Sequence, residues 1–433
     1  MSDVVNIGLL GLGTVGRGVY QLLCRENTEI VERLGARLVV KRILVQDAAK
    51  EREVSFPSDL PDLLTTDYRT VLDDPDIDIV VEVIGGVDIA RKLVLGAIER
   101  GKPVVTANKE LMAGHGREVL EAAAKHGVDV LFEASVGGGI PIIRPLKDSL
   151  IGNHVQRVMG IVNGTTNYIL SRMETGMEYA AALAEAQELG YVERDPSADV
   201  EGKDAAAKIA ILASIAFNSR VTAEDVHTEG ITAITSQDIM YARELGYAVK
   251  LLALAKKEKG FLDVRVHPTM IPLDHPLATV KDAYNAIFVE GDAVGDLMFF
   301  GQGAGSLQTA SAVVADIFAA AENRRSGVSG RFTCTCFQDY AVKSVDAVES
   351  SYYLLIECLD RPGVLAQIAY IFGDNQVSVG SVIQKGATAG VAEVVFMTHK
   401  VSEGNLRTAI AGVEELGSVS KVRNVIRVEG GDR

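Results

Sequence analysis

Val4-Val5-Asn6-Ile7-Gly8-Leu9-Leu10-Gly11-Leu12-Gly13-Thr14-Val15-Gly16 is the stretch on which the fold turns. Residues 4–10 are almost all apolar, the pattern of a short strand buried on both faces of a parallel sheet. Gly11, Gly13 and Gly16 follow it as Gly-x-Gly-x-x-Gly, and a helix is predicted over 17–23. In that setting the first glycine makes the turn, the second admits a pyrophosphate against the backbone, and the third packs helix on strand. Backbone N–H groups at Thr14, Val15 and the helix start then hold phosphate. The spacing alone is a weak signal because glycine is common, and an ordinary tight turn would also satisfy it. What strengthens it is position, at the first strand-to-helix turn of an alternating chain.

Working outward, apolar strands are predicted at 38–45, 79–84, 104–106 and 128–132, with helices at 90–99 and 116–125 between them. Such alternation builds βαβ units and an α/β, doubly wound Rossmann domain, placed here over 1–135. The second strand ends at Val45-Gln46-Asp47, where an acid would meet a ribose hydroxyl; Lys50, Arg52 or Arg42 could instead meet a 2′-phosphate. NAD and NADP both stay open. Because Gln46 carries no charge and Asp47 would repel a phosphate, NAD is expected to serve at least comparably with NADP.

Gly137-Gly138-Gly139-Ile140-Pro141 breaks the alternation and opens an α+β region over 136–305, with Ala-rich helices at 179–189 and 203–217 and a strand at 262–268. A long helix over 306–321 is expected to return to the first domain. Polar residues with no apolar periodicity follow, so 322–349 is read as a linker. From 350 to 430 the order is strand (352–358), helix (363–374), strand (377–384), strand (392–398), helix (402–415), strand (419–428). That is the βαββαβ, ferredoxin-like order.

Bulk properties narrow the function classes. The 433 residues exceed one hydrophobic core, and 48% hydrophobic with 23% charged residues is ordinary globular usage. No apolar run spans a bilayer and no signal peptide is read at the start, so no membrane partner is expected. A net charge of −15 repels phosphate backbones, Arg324, Arg325 and Arg331 being the nearest thing to a basic cluster, so nucleic acid is excluded as a partner. The four cysteines, Cys24, Cys334, Cys336 and Cys358, fit a reduced, cytoplasmic setting. Cys334-Thr335-Cys336 is taken as a pair of small buried hydrophobes in preference to a metal clip.

The chemistry sits in Gly190-Tyr191-Val192-Glu193-Arg194-Asp195-Pro196-Ser197-Ala198-Asp199-Val200-Glu201-Gly202-Lys203-Asp204-Ala205-Ala206-Ala207-Lys208. Asp204 and Lys208 lie four apart and share a helix face, which by itself describes a surface ion pair. Five carboxylates and two lysines gathered with turn residues behind a dinucleotide domain point further. Reduction of an aldehyde builds negative charge on its oxygen, and a lysine ammonium both stabilises and protonates that oxygen. Asp204 would keep Lys208 charged and aimed, and Glu193 would meet a substrate ammonium. No His-Asp or His-Glu pair stands near these motifs, which counts against dehydrogenases built on histidine.

Asp-Pro-x-x-Asp-Val-x-Gly-x-Asp-x-x-x-Lys at 195–208 resembles the signature of the homoserine dehydrogenase family. The resemblance extends to the fingerprint, Thr106-Ala107-Asn108-Lys109, Glu133-Ala134-Ser135-Val136-Gly137-Gly138-Gly139-Ile140-Pro141, Asn163-Gly164-Thr165-Thr166-Asn167, Gly303-Ala304-Gly305 and Thr309-Ala310-Ser311-Ala312. It implies NAD(P)-dependent, reversible reduction of L-aspartate 4-semialdehyde to L-homoserine in threonine, methionine and isoleucine biosynthesis. By the same resemblance Lys208 exchanges the proton at the substrate oxygen, and Lys109 assists between cofactor and substrate. Glu193, Asp199 and Asp204 bind the amino acid, and Gly303 belongs with the cofactor residues. A monovalent cation, sodium, is implied at Glu133, Val136, Gly138 and Ile140. Gln46 departs from NADP-using members, which often carry a basic residue there.

The C-terminal unit is similar to ACT domains, a family of amino-acid sensors, through Asp360-Arg361-Pro362-Gly363-Val364-Leu365 and Asn375-x-Val377-Ser378-Val379. Asp360, Gly363, Val364, Leu365, Asn375 and Gln384 are the candidate effector residues, with L-threonine as effector; an oligomerisation domain without ligand is the alternative. Two free sheet edges and one uncovered sheet face would pair this unit with a second copy, giving a homo-oligomer, a dimer or tetramer. It should also be separable, a chain cut near Glu349 keeping its activity. Two other readings of the whole chain are a sensor that binds cofactor without catalysis and a different ACT-linked dehydrogenase; Lys109, Asp204 and Lys208 argue against the first and the missing histidine against the second.

Overall fold

The computed structural model describes residues 3–25, 28–50, 60–192, 195–329, 334–388 and 390–430. Its chain divides into two compact units, 1–158 with 207–223 and 285–339, and 159–206 with 224–284 and 340–433. Residues 136–305 are thus shared between the units.

In the first unit six parallel strands lie in the spatial order Leu64–Thr65, Ala36–Leu44, Asp3–Leu10, Ile79–Glu82, Val104–Thr106, Val130–Leu131. The order 3-2-1-4-5-6 is the doubly wound Rossmann arrangement, with its switch point between Asp3–Leu10 and Ile79–Glu82. Ile7, Leu9, Ile79, Val81 and Val105 are fully buried, as parallel strands covered on both faces must be. The helix predicted over 116–125 starts seven residues earlier, at Lys109–His126, because Asn108 caps it by accepting from the Leu111 N–H.

The helix Ser306–Arg325 packs on the fingerprint helix Thr14–Cys24: a methyl on Gly18 would stand 2.4 Å from the Ser306 carbonyl oxygen. It also overruns its predicted end by four residues. Asn323 is buried and donates to Asp129 at 3.0 Å, and Arg324 and Arg325 pair with Asp78 and Asp3. The start of the expected linker is therefore helix, held by side-chain contacts that a search for apolar periodicity does not see. Cys334 and Cys336 touch, the Cys336 N–H donating to Cys334 Sγ at 3.4 Å, and they are half-buried where small buried hydrophobes were expected. Arg52 and Arg331 lie outside the described residues.

The second unit sets six strands side by side: Tyr247–Glu258, Phe261–Pro272, Val419–Val428, Glu349–Leu359, Val391–Thr398, Val379–Thr388. The last four, with helices Val364–Asp374 and Glu403–Glu414, are the ferredoxin-like unit. Tyr352, Leu354, Ile356, Val394 and Phe396 face those helices in one core.

Two expectations for this unit are corrected. Its other sheet face is covered by the helix Ser236–Glu244, through Tyr353 to Asp238, Tyr241 to Glu393, Asn424 to Asp238 and Lys385 to Glu244. One edge is engaged as well: Arg427 and Val428 pair in parallel with Thr269 and Met270. The other edge strand, Val379–Thr388, pairs only with Val391–Thr398 among the described residues. Sequence patterning missed the cover because it is made by hydroxyl, amide and charged groups. Arg265, buried, donates to Ser350 and Glu429, so a chain cut after Glu349 would leave this cation without either partner.

Candidate active site

The fingerprint turn is shaped glycine by glycine. Gly11 adopts φ +104° and donates its N–H to the Leu44 carbonyl at 3.0 Å, and a Cβ there would stand 2.8 Å from the Val83 carbonyl oxygen. A Cβ at Gly16 would lie 2.2 Å from the Gly11 carbonyl oxygen, so helix and strand close on each other only without it. At Gly13, apart from its own chain neighbours, no described atom comes within 4 Å of that position, which leaves the clearance a pyrophosphate needs. Thr14 opens the helix, its carbonyl accepting from the Ser306 hydroxyl at 2.7 Å, and Val15 packs against the core beneath.

One strand over, Glu82 closes Ile79–Glu82 with its side chain fully buried. It accepts from the Ile84 N–H at 2.9 Å and the Thr106 hydroxyl at 2.6 Å. Thr106 in turn accepts from the Asn108 N–H, and the Asn108 side chain donates to the Gly86 carbonyl at 2.7 Å. This network fixes Lys109 as the first residue of its helix, at the carboxyl end of the sheet, where doubly wound proteins bind ligands. Sequence reading assigned Glu82 no role, although a carboxylate ending an otherwise apolar strand is a signal of buried function.

Gly303 and the 133–140 turn meet in the same unit. A Cβ on Gly138 would sit 2.4 Å from the Gly303 carbonyl oxygen, and one on Gly303 would overlap Asn285 at 1.8 Å. The Glu133 carboxylate accepts from the N–H groups of Ile142, Ile143 and Arg144 at 2.6–2.8 Å. Val136 and Ile140 are buried beside it. Beneath the turn Asp316 accepts from the Glu133 N–H and from Arg144, and burial pushes its carboxyl up to about 7.

In the second unit Asn163 is the organising residue. It caps the helix Gly164–Met173 by accepting from the Thr166 N–H at 2.9 Å. The two hydrogens of its amide go to Asp199 at 2.7 Å and Asp204 at 2.8 Å. Two carboxylates 5 residues apart in sequence are thereby held to one nitrogen in a nearly buried place, an arrangement that favours a cation against them. Asp195 accepts from the Ser197 N–H and starts the short helix Ser197–Val200, whose end and Gly202 turn the chain into Lys203–Ala216. Asp204 stands on the first turn of that helix; Lys208, one turn later on the same helix, is counted with the first unit. Glu193 lies outside the described residues. Asn163 was legible in the sequence as the polar residue before Gly164-Thr165-Thr166, an N-cap signal.

In the C-terminal ferredoxin-like unit, Gln384 donates to Asp360 at 3.1 Å, and Gly363, at φ +89°, precedes the helix Val364–Asp374. Val364 is buried and Leu365 exposed. Asn375 is turned back on its helix, donating to the Ile371 carbonyl at 2.9 Å, and does not join Asp360 and Gln384.

Together these features define a dinucleotide-dependent oxidoreductase joined to an ACT-type unit. Family models for the homoserine dehydrogenase NAD-binding domain, homoserine dehydrogenase and the ACT domain match residues 11–133, 141–318 and 352–417. The chain is 46% identical to a homoserine dehydrogenase of Synechocystis and 42% identical to that of Bacillus subtilis, covering 98% of this chain and 98–99% of each relative. A solved homoserine dehydrogenase from Thiobacillus denitrificans, 42% identical, superposes with a TM-score of 0.91 over 99% of both chains. An archaeal homoserine dehydrogenase solved with NADPH is 28% identical, with a TM-score of 0.62 over 73% of this chain and 97% of that one. The chain belongs to the homoserine dehydrogenase family.

Proposed function

We propose that Lys208 exchanges the proton at the substrate oxygen as L-aspartate 4-semialdehyde and L-homoserine interconvert, and that Asp199, Asp204 and Glu193 hold the substrate ammonium. The observation carrying this reading is the single Asn163 amide that gathers Asp199 and Asp204 one helical turn before Lys208. A bound dinucleotide supplies or accepts the hydride. Lys109, at its helix N-terminus, serves the junction of cofactor and substrate, and Gly11, Gly13, Thr14, Val15, Gly16 and Gly303 line the cofactor's path. Asp47 accepts from the Ala49 N–H, and Arg42 donates to the Lys41 carbonyl. With Gln46 uncharged and Asp47 acidic at the end of the second strand, NAD is expected to serve at least comparably with NADP.

The turn at 133–140 suits a hard monovalent cation such as sodium. Because three backbone amides occupy the Glu133 carboxylate, the oxygens on offer are main-chain carbonyls of Glu133, Val136, Gly138 and Ile140. L-threonine is the effector proposed for the turn at Asp360, Gly363, Val364 and Leu365, with Gln384 steering Asp360. The open edge Val379–Thr388 is where a second copy would pair to form a homo-oligomer. Free cysteines at 24, 334, 336 and 358 accord with the cytoplasm.

Asp199→Asn tests the substrate reading. It keeps the shape and removes a charge, so L-homoserine binding weakens by about 1.5–3 kcal/mol while dinucleotide binding holds; an unchanged homoserine constant contradicts it. Glu193→Gln is expected to act in the same direction.

A further inference from the structure

Arg427, near the end of the sensor's last strand, is almost fully buried, its side chain 5% exposed. Its guanidinium forms a two-bond pair with Glu229, both contacts at 2.8 Å, and on its other side bonds Glu403, at 2.7 and 2.9 Å. Glu403 is the first residue of the sensor helix Glu403–Glu414 and also accepts from the Tyr352 hydroxyl at 2.8 Å. One buried cation thus joins a sensor helix to a residue outside the sensor.

Glu229 leads straight to the 195–204 segment. Its N–H donates to the Val266 carbonyl at 2.8 Å, and His227 Nε2 lies 2.7 Å from its carboxylate. The next residue, Gly230, presses on the segment so closely that a Cβ would stand 2.0 Å from the Val200 carbonyl oxygen and 2.6 Å from Glu201 Cα. Ile231 then donates its N–H to that same Val200 carbonyl at 2.8 Å. Gly202, the hinge before Asp204, rests on Thr228, Val266 and the Glu229 carbonyl. Contacts this tight move together, because packed backbone has no slack in which a shift could die out. Burial alone would drive a proton off Arg427, but Glu229 and Glu403 hold it charged, so the pairing persists across ordinary pH.

We infer that Arg427 is a positioning residue of the substrate site, holding Glu229 and through it the 229–231 backbone on which Val200–Gly202 and hence Asp199 and Asp204 are set, with its second contact tying that placement to the sensor helix at Glu403. The inference rests on Asp199 and Asp204 binding substrate, as proposed above. It differs from the expected route, a linker at 322–349, in running through strand and ion-pair contacts.

The test is steady-state kinetics on the full-length enzyme, with the Michaelis constants for L-homoserine and for the dinucleotide measured separately. Glu229→Gln should raise the homoserine constant about tenfold, within the range of ordinary coupling between sites, and leave kcat and the dinucleotide constant within about twofold. Arg427→Lys keeps the charge and loses the fork, so it should show a smaller rise in the same constant, and Glu403→Gln a smaller one still. A merely structural role would lower stability and the active fraction without singling out homoserine. The inference is overturned if both constants move together, or if Glu229→Gln leaves the homoserine constant within about twofold of wild type. Should that variant fail to fold, Arg427→Lys decides, a homoserine constant equal to wild type overturning the inference. Asp199→Asn in parallel separates the two failures: if it too leaves homoserine binding untouched, the substrate assignment is at fault and not the relay.

Discussion

Among the turns that carry the chain from a strand into a helix, those at 11–16 and 360–365 are built differently. At 11–16 the shape is written in the backbone: Gly11 and Gly16 exclude a Cβ by contact with main-chain oxygens, and Gly13 faces open space. At 360–365 only Gly363 is conformationally special, and the rest is side-chain detail, Asp360 held by Gln384, Val364 buried, Leu365 exposed. A backbone-coded turn accepts one class of ligand and announces it in sequence. A side-chain-coded turn on a common scaffold says little about which ligand it takes, or whether it takes one.

The sharpest way to break this contrast is within the first turn. Gly16→Ala forces a methyl onto the Gly11 carbonyl, and the expected result is loss of dinucleotide binding by a hundredfold or more, on the order of 3 kcal/mol, with a lowered melting temperature. Gly13→Ala meets no protein atom, so stability should hold while the dinucleotide constant rises about tenfold, the methyl standing where pyrophosphate approaches. Calorimetric titration with NAD and NADP beside thermal melting reads both; equal effects from the two variants would dissolve the distinction.

In the second turn, Asp360→Asn should leave basal turnover unchanged and weaken inhibition by L-threonine about fivefold, the low end of site-to-site coupling. Full inhibition in that variant, or none in the wild type, would assign the turn to another ligand or to assembly alone.

The smallest effect concerns the floor of the cofactor unit. Asp316 has its carboxyl pushed up to about 7 by burial, from an ordinary value near 3.8. The fold therefore binds the proton more tightly than the unfolded chain, and stability from this group falls as pH rises from about 4 to about 7. Asp316→Asn mimics the neutral form, so it should gain on wild type between pH 5 and pH 8 by on the order of 1 kcal/mol in chemical denaturation. A difference that stays flat from pH 5 to pH 8 would mean that Arg144 keeps Asp316 ionised.

The same contrast explains what could be read in advance. The strand–helix alternation of the first domain, the fingerprint and the βαββαβ unit follow from apolar periodicity and glycine spacing, which are local. The long helix ran past its predicted end because Asn323, Arg324 and Arg325 are held by Asp129, Asp78 and Asp3, all distant in sequence. The covered face of the ACT-type unit escaped notice for the same reason, since Ser236–Glu244 reaches it with Asp238 and Tyr241 and not with an apolar stripe. At the candidate active site the motif supplied Asp199, Asp204 and Lys208, whereas the amide that gathers the two aspartates, Asn163, comes from 36 residues upstream of the nearer one.

The central claim is that Lys208 handles the proton in L-homoserine oxidation, and its most direct test is dinucleotide absorbance with L-homoserine, wild type against Lys208→Ala. The wild type should reduce NAD or NADP only when L-homoserine is present. In the variant, turnover should fall on the order of a hundredfold with dinucleotide affinity nearly intact, because the lost interaction belongs to the transition state. Near-normal turnover in Lys208→Ala, or a wild type indifferent to L-homoserine, would contradict the account.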